Sequence, residues 1–185
     1  MGKAYANRKK EIDRPDSDYY GTPIPLIWEL IKLDIFNKDH LIYEPASGEG
    51  VIGKTLTLNG FRVTEDDIRT TGKNFLECEK HYPVIITNPP FSLFDEFVVS
   101  AKRCSDRFAF IAKTNFFGAY KRYENGIWNN LKSVYIFNRQ IDYRYNPFET
   151  KLKCGNLITG WFIWDLSWNK DYWETKIIDV QKYCK

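Results

Sequence analysis

The chain has 185 residues, 43% hydrophobic and 17% aromatic, which suits one domain with a sizeable core. Its 27 basic and 24 acidic residues leave a net charge of +3, so no global basic field holds it to nucleic acid. Cys78, Cys104, Cys154 and Cys184 are scattered and His40 and His81 lie far apart, which reads as reduced thiols without a metal site.

Residues 1–18 carry Lys3, Arg8, Lys9, Lys10 and Arg14 against Glu11 and Asp13, and read as a flexible basic arm. Tyr19-Tyr20-Gly21-Thr22-Pro23 leads into an amphipathic stretch, with Thr22 before Pro23 as a helix start, and a helix is expected over 25–35. Leu41-Ile42-Tyr43-Glu44 is a short apolar strand running into Pro45-Ala46-Ser47-Gly48-Glu49-Gly50, and helical spacing resumes over 51–59. The glycines permit a tight turn and close backbone approach to a ligand at a helix N-terminus. Gly48-x-Gly50-x-x-Gly53 also spells the dinucleotide fingerprint, so a dehydrogenase stays open at this point.

A second strand is expected over 61–65, with Glu65-Asp66-Asp67-Ile68 at its end, where a carboxylate can take ribose hydroxyls. Val84-Ile85-Ile86-Thr87 reads as a buried strand ending in Asn88-Pro89-Pro90-Phe91. Two prolines stiffen this tip, and Asn88 before proline is held out of the helical region. The tip suits a planar substrate with an exocyclic NH₂ group. The Asn88 side-chain oxygen and the Pro89 carbonyl accept its two protons while Phe91 stacks on the ring.

A helix follows over 93–103, then a strand (108–112), a helix (about 120–130) and a strand (133–137). The stretch 138–148 interleaves Arg139 and Arg144 with aromatics, a pattern that pairs phosphates and stacks bases. A surface loop with its aromatics folded onto the core is the alternative. Residues 157–164 are almost continuously apolar, as in a strand buried on both faces. Residues 167–185 form a polar-aromatic tail, read as a terminal helix or a partner surface. The alternation of strands and helices predicts a mainly parallel α/β sheet with ligands at the strand C-terminal ends.

On these residues the chain resembles the S-adenosylmethionine-dependent amino-methyltransferases, which act on adenine N6, cytosine N4 and related amides. The resemblance covers residues 19–165, and Asn88–Phe91 with Glu44–Gly50 are its specific motifs. It implies a Rossmann-like class I methyltransferase fold, with a mainly parallel sheet of the seven-stranded type and 157–164 as an antiparallel last strand. The domain would span 19–166, between the arm and the tail. S-adenosyl-L-methionine is the implied cofactor. Tyr20, Thr22 and Pro23 would close over its methionine part, and Glu44, Pro45, Ala46, Gly48 and Gly50 would bind it, with the Glu44 carboxylate near the cationic end. Asp67 is favoured over Glu65 and Asp66 for the ribose, because the family has Asp before an apolar residue. Asn74 and Phe75 would meet the adenine, although the family commonly has Asp where this chain has Asn74.

Asn88, Pro89, Pro90 and Phe91 are the implied catalytic residues. Asn115, Phe116 and Arg122 are candidate substrate contacts on the same sheet edge, with Arg139 and Arg144 from the arginine–aromatic stretch. The implied reaction is methyl transfer to adenine N6 in DNA, since members acting on cytosine more often have Ser first in the motif. RNA or a protein amide as substrate, and a cofactor-binding protein without turnover, are the alternatives. The dehydrogenase reading leaves Asn88–Phe91 unexplained. Only 44 positions separate Glu44 from Asn88, and about 20 residues follow the last expected strand, so no target-recognition domain is expected. That suits a small stand-alone, phage-like enzyme, monomeric or a weak homodimer, with DNA as partner and RNA possible. With no spanning apolar run and no signal peptide, the expected place is the cytoplasm.

Overall fold

The computed structural model describes residues 21–144 and 146–184, so the arm over 1–18 and Tyr20 lie outside the described residues. One seven-stranded sheet organises the chain: β1 (Leu41–Glu44), β2 (Arg62–Glu65), β3 (Val84–Thr87), β4 (Arg107–Lys113), β5 (Leu131–Phe137), β6 (Thr159–Asp165) and β7 (Glu174–Ile178). Its spatial order is β2-β1-β3-β4-β6-β5-β7. The first four strands pair in parallel, β6 runs antiparallel to both β4 and β5, and β7 is parallel to β5.

The apolar run expected at 157–164 is β6, and all seven of its residues are buried. Strand alternation sends Trp161 and Ile163 to one face and Phe162 and Trp164 to the other. A side chain at Gly160 would put its Cβ 2.4 Å from the Tyr135 carbonyl oxygen, so only glycine lets β5 and β6 approach here.

Helices α1 (Ile24–Lys32) and α2 (Val51–Leu58) cover one face, where Leu26, Ile27, Ile52 and Leu56 pack with Ile42, Ile86 and Trp161. Helix α3 (Phe94–Cys104) covers the other, with Phe94, Phe97 and Val98 among Ile85, Phe108, Phe110 and Trp164. The Trp161 indole N–H donates to the Leu26 carbonyl at 2.8 Å and ties α1 to the sheet.

Three boundaries differ from expectation. Pro23, not Thr22, occupies the α1 N-cap without a side-chain hydrogen bond, and the Ile24 N–H is satisfied by the Pro147 carbonyl at 3.2 Å. The helix expected over 120–130 ends early, as α4 (Tyr120–Glu124), because Gly126 takes a left-handed φ of 64° and Ile127 and Trp128 turn into the core. The tail over 167–185, read as a terminal helix or a partner surface, contains a strand, β7. Residues 174–178 lie along the free edge of β5 in register from Ser133↔Glu174 to Phe137↔Ile178, so the antiparallel β6 is not the last strand.

The C-terminal end then packs on α1. Glu29, 7% exposed, accepts from Lys32 at 2.8 Å and from the Tyr183 hydroxyl at 2.7 Å, and Lys182 stands 2.9 Å away. Burial pushes its carboxyl up, but these donors together outweigh burial and hold it below the usual value of 4.5. The folded carboxyl therefore binds its proton less tightly than the unfolded one. Its stabilisation is complete above pH 4.5 and is lost as the pH falls through the folded value. An acid-unfolding titration of Glu29→Gln should show a shallower loss of stability below that pH than the parent chain.

Candidate active site

The chain leaves β1 through the glycine turn, and Gly48 and Gly50 have φ of 55° and 74°, a region open to glycine at little cost. The turn is stitched to the end of β2. The Ser47 N–H donates to the Asp66 carbonyl at 3.1 Å, and the Gly48 N–H to the Asp67 carboxylate at 3.0 Å. Glu44, 1% exposed, accepts from the Gly53 N–H at 2.8 Å. Burial raises its carboxyl well above the ordinary range, and the neighbouring Glu65 carboxylate adds to the rise. Pro45 is buried and Ala46 half-buried beside it.

The three acids at the end of β2 have different surroundings. Asp66 is buried and pairs with Lys73 at 3.0 Å. Asp67, favoured for the ribose from sequence, is also buried, and its oxygens accept from the Gly48 and Arg69 N–H groups. Glu65 is exposed at the strand's end, and its carboxylate lies over Gly53, where an added Cβ would meet Glu65 Oε1 at 2.2 Å.

Asn74 was expected at an adenine edge, but its amide is engaged locally, accepting from the Leu76 N–H at 3.1 Å and donating to Glu77 at 2.9 Å. Phe75 is 3% exposed and packs on Tyr43 and Phe97. Thr22 and Pro23 are buried at the start of α1.

Asn88-Pro89-Pro90-Phe91 follows β3, the direct neighbour of β1, so the stiff tip and the glycine turn leave the same sheet edge side by side. Strand order reverses between these two strands, β2 lying beyond β1 and β4 beyond β3, and such a switch point opens a crevice. Asn88 and Pro90 are half-buried and Pro89 is buried. Phe91, expected as an open stacking surface, is 6% exposed. The rings of Phe116 and Tyr143 stand nearly perpendicular to it at 6.0 and 6.5 Å, and Lys113 Nζ sits 4.4 Å from its centroid. Lys113 and Tyr143 were not singled out in the sequence, because only the packing of β4 and β6 brings them to Phe91.

Of the candidate substrate contacts, Asn115 is exposed and Phe116 half-buried in the turn after β4. Arg122 lies over the Phe116 ring at 4.2 Å and pairs with Asp95. Arg139 donates to Gln181 at 2.6 Å and Arg144 to Asp142 at 3.1 Å, while Tyr143 is 2% exposed and hydrogen-bonded to Thr159 at 2.6 Å. Within the stretch 138–148, Tyr143 is thus folded onto the core, while Arg144 and Phe148 remain exposed. Among the described residues no group of three or more His, Cys, Asp or Glu could hold a metal ion, and no helix is long and apolar enough to cross a membrane.

No protein-family model and no curated protein match the sequence. Solved structures do. PH1948 of Pyrococcus horikoshii, classed as a candidate RNA methyltransferase, superposes with a TM-score of 0.60 at 17% identity, over 84% of this chain and 90% of that one. The methyltransferase subunit of a type I restriction-modification system from Streptococcus thermophilus gives 0.56 at 10% identity, over 88% of this chain and 48% of that subunit. The 23S rRNA methyltransferase ErmE gives 0.52 at 14% identity, over 75% of this chain and 66% of that one. The fold is that of the Rossmann-like class I methyltransferases. In this methyltransferase fold the glycine turn after β1, the acids after β2 and the Asn-Pro-Pro-Phe tip after β3 line one sheet edge.

Proposed function

We propose that the chain is an S-adenosyl-L-methionine-dependent methyltransferase acting on N6 of adenine in DNA. The observation that carries this reading is the adjacency of two motifs at the β1/β3 switch point, the glycine turn and Asn88-Pro89-Pro90-Phe91. A cofactor on the glycine turn would lie next to a nucleobase held by the tip. The buried Glu44 supports the cofactor side of the reading. Its carboxyl is pushed toward the protonated form by burial and by Glu65, and a cationic ligand end nearby relieves both effects.

The cofactor supplies an electrophilic methyl group on sulfur. Displacement by a neutral exocyclic nitrogen needs alignment more than a strong base. The adenine amine would donate hydrogen bonds to the Asn88 side-chain oxygen and the Pro89 carbonyl, which favours a pyramidal nitrogen. As its bond to the methyl group forms, the methyl–sulfur bond would break, leaving a neutral thioether, and the nitrogen would release one proton to water. A base in a duplex first leaves the stack to reach the tip. Lys113 then gives up the face of Phe91 to the base.

Glu65 takes the ribose role in this reading, because Asp67 is already engaged by the turn. Glu65→Ala should weaken cofactor binding by about tenfold or more, the scale of a lost hydrogen bond to a charged group. Calorimetric titration of the cofactor checks this, and unchanged affinity would return the ribose to Asp67. The reading as a whole is tested by transfer of labelled methyl to DNA and to RNA, with the product nucleosides identified by mass. N6-methyladenine from DNA supports it, and product from RNA alone moves the substrate.

A further inference from the structure

Two tyrosines on α4 stand out in solvent. Tyr120 and Tyr123 are 73% and 74% exposed, and neither side chain has a hydrogen bond or a ring partner among the described residues. Tyr43, Tyr82, Tyr143 and Tyr183, by contrast, each have a ring or hydroxyl partner. Positions three apart on a helix share a face, so both phenols leave the same side of α4. Lys121 lies between them in sequence and is exposed. Arg122, on the same helix turn, covers Phe116, whose ring meets Phe91 of the tip. The helix that carries the exposed tyrosines is thereby anchored beside the tip, and Lys121 and Glu124 are exposed on it.

We infer that α4 is a stacking platform for unpaired bases flanking the target, so that the preferred substrate is a single-stranded stretch of nucleic acid. This rests on the proposed methyl transfer for its biological sense, but the platform is a binding claim with its own readout. A duplex keeps its flanking bases stacked on one another and offers such rings only its backbone. A single strand offers base faces, each worth a substantial part of the binding when an aromatic residue supports it, with a cation following the phosphates. In the arginine–aromatic stretch at 138–148, Arg139 donates to Gln181 and Tyr143 is buried, while Arg144 and Phe148 are exposed.

The test is fluorescence anisotropy with a labelled mixed-sequence oligonucleotide of about twelve nucleotides, single-stranded DNA, single-stranded RNA and duplex DNA in parallel. The parent chain should bind a single strand more tightly than the duplex. Tyr120→Ala with Tyr123→Ala should weaken single-strand binding by at least about tenfold, and the paired Phe substitutions should stay within about threefold. Cofactor affinity by calorimetry and the thermal midpoint should be unchanged in all of them, since both rings are exposed. Single-strand affinity retained in the alanine variant, or a parent chain that prefers duplex, would overturn the platform. Loss of binding in that variant together with no methyl transfer to any strand would leave the platform standing and remove the proposed chemistry instead.

Discussion

Asn88→Ala is expected to lower methyl transfer by about a hundredfold or more while leaving cofactor affinity within about twofold. The reason lies in where Asn88 sits. It follows β3 immediately, ahead of two prolines that remove backbone freedom, so its side chain is held at the switch point. Removing one preorganised hydrogen-bonding group from a site where charge develops typically costs about 10²–10³ in rate. In the proposed reading the cofactor contacts belong to a different strand and turn, after β1, which is why the two readouts should separate. Single-turnover transfer to an adenine-containing oligonucleotide, with calorimetry on the same preparation, checks both. Transfer within about threefold of the parent would remove Asn88 from the chemistry, and a matching fall in cofactor affinity would make it a structural residue of the crevice.

Trp164→Ala should cost about 3–5 kcal/mol of folding free energy, the range for deleting a buried aromatic side chain. Trp164 is fully buried on β6 and stacks on Phe108 at 4.9 Å, with Phe110, Trp128, Phe162 and Phe94 around it at 6.0 to 6.4 Å. Its indole N–H also donates to the Ile127 carbonyl at 3.2 Å, which the substitution leaves without that donor. Against a typical total of about 5–15 kcal/mol, such a loss brings the chain close to unfolding at ambient temperature. Trp164→Phe keeps a ring on Phe108 and should lose less. Urea denaturation of the three proteins measures this, and an alanine variant within 1 kcal/mol of the parent would mean that the face around α3 closes over the gap.

The site predictions meet in one physical theme, the competition for each polar group between the fold and a ligand. Asp67 and Asn74 carry side chains suited to a cofactor, yet each has its oxygens committed to nearby backbone N–H groups. Glu65, Tyr120 and Tyr123 are the groups that the fold leaves exposed.

Local sequence was enough for the frame. Val84–Thr87 followed by Asn88-Pro89-Pro90 could only be a strand that ends in a rigid tip, because proline fixes φ and removes the donors that would extend it. The glycine turn was legible for the same reason, since Gly48 and Gly50 take up left-handed backbone that other residues reach only with strain. The unbroken apolar run of β6 announced a strand buried on both faces. What only the tertiary structure decided were the side-chain partnerships and the edges. Arg139 finds Gln181 across 42 positions, Tyr143 finds Thr159 across 16, and Gly48 finds Asp67 across 19. Strand β7, four of whose five residues are exposed, carries almost no hydrophobic signal, and it becomes a strand because β5 presents a free edge in register. Periodicity and backbone restriction act over a few residues and can be read in the chain. Which polar group is already satisfied, and which is left for a ligand, depends on neighbours that only folding brings together.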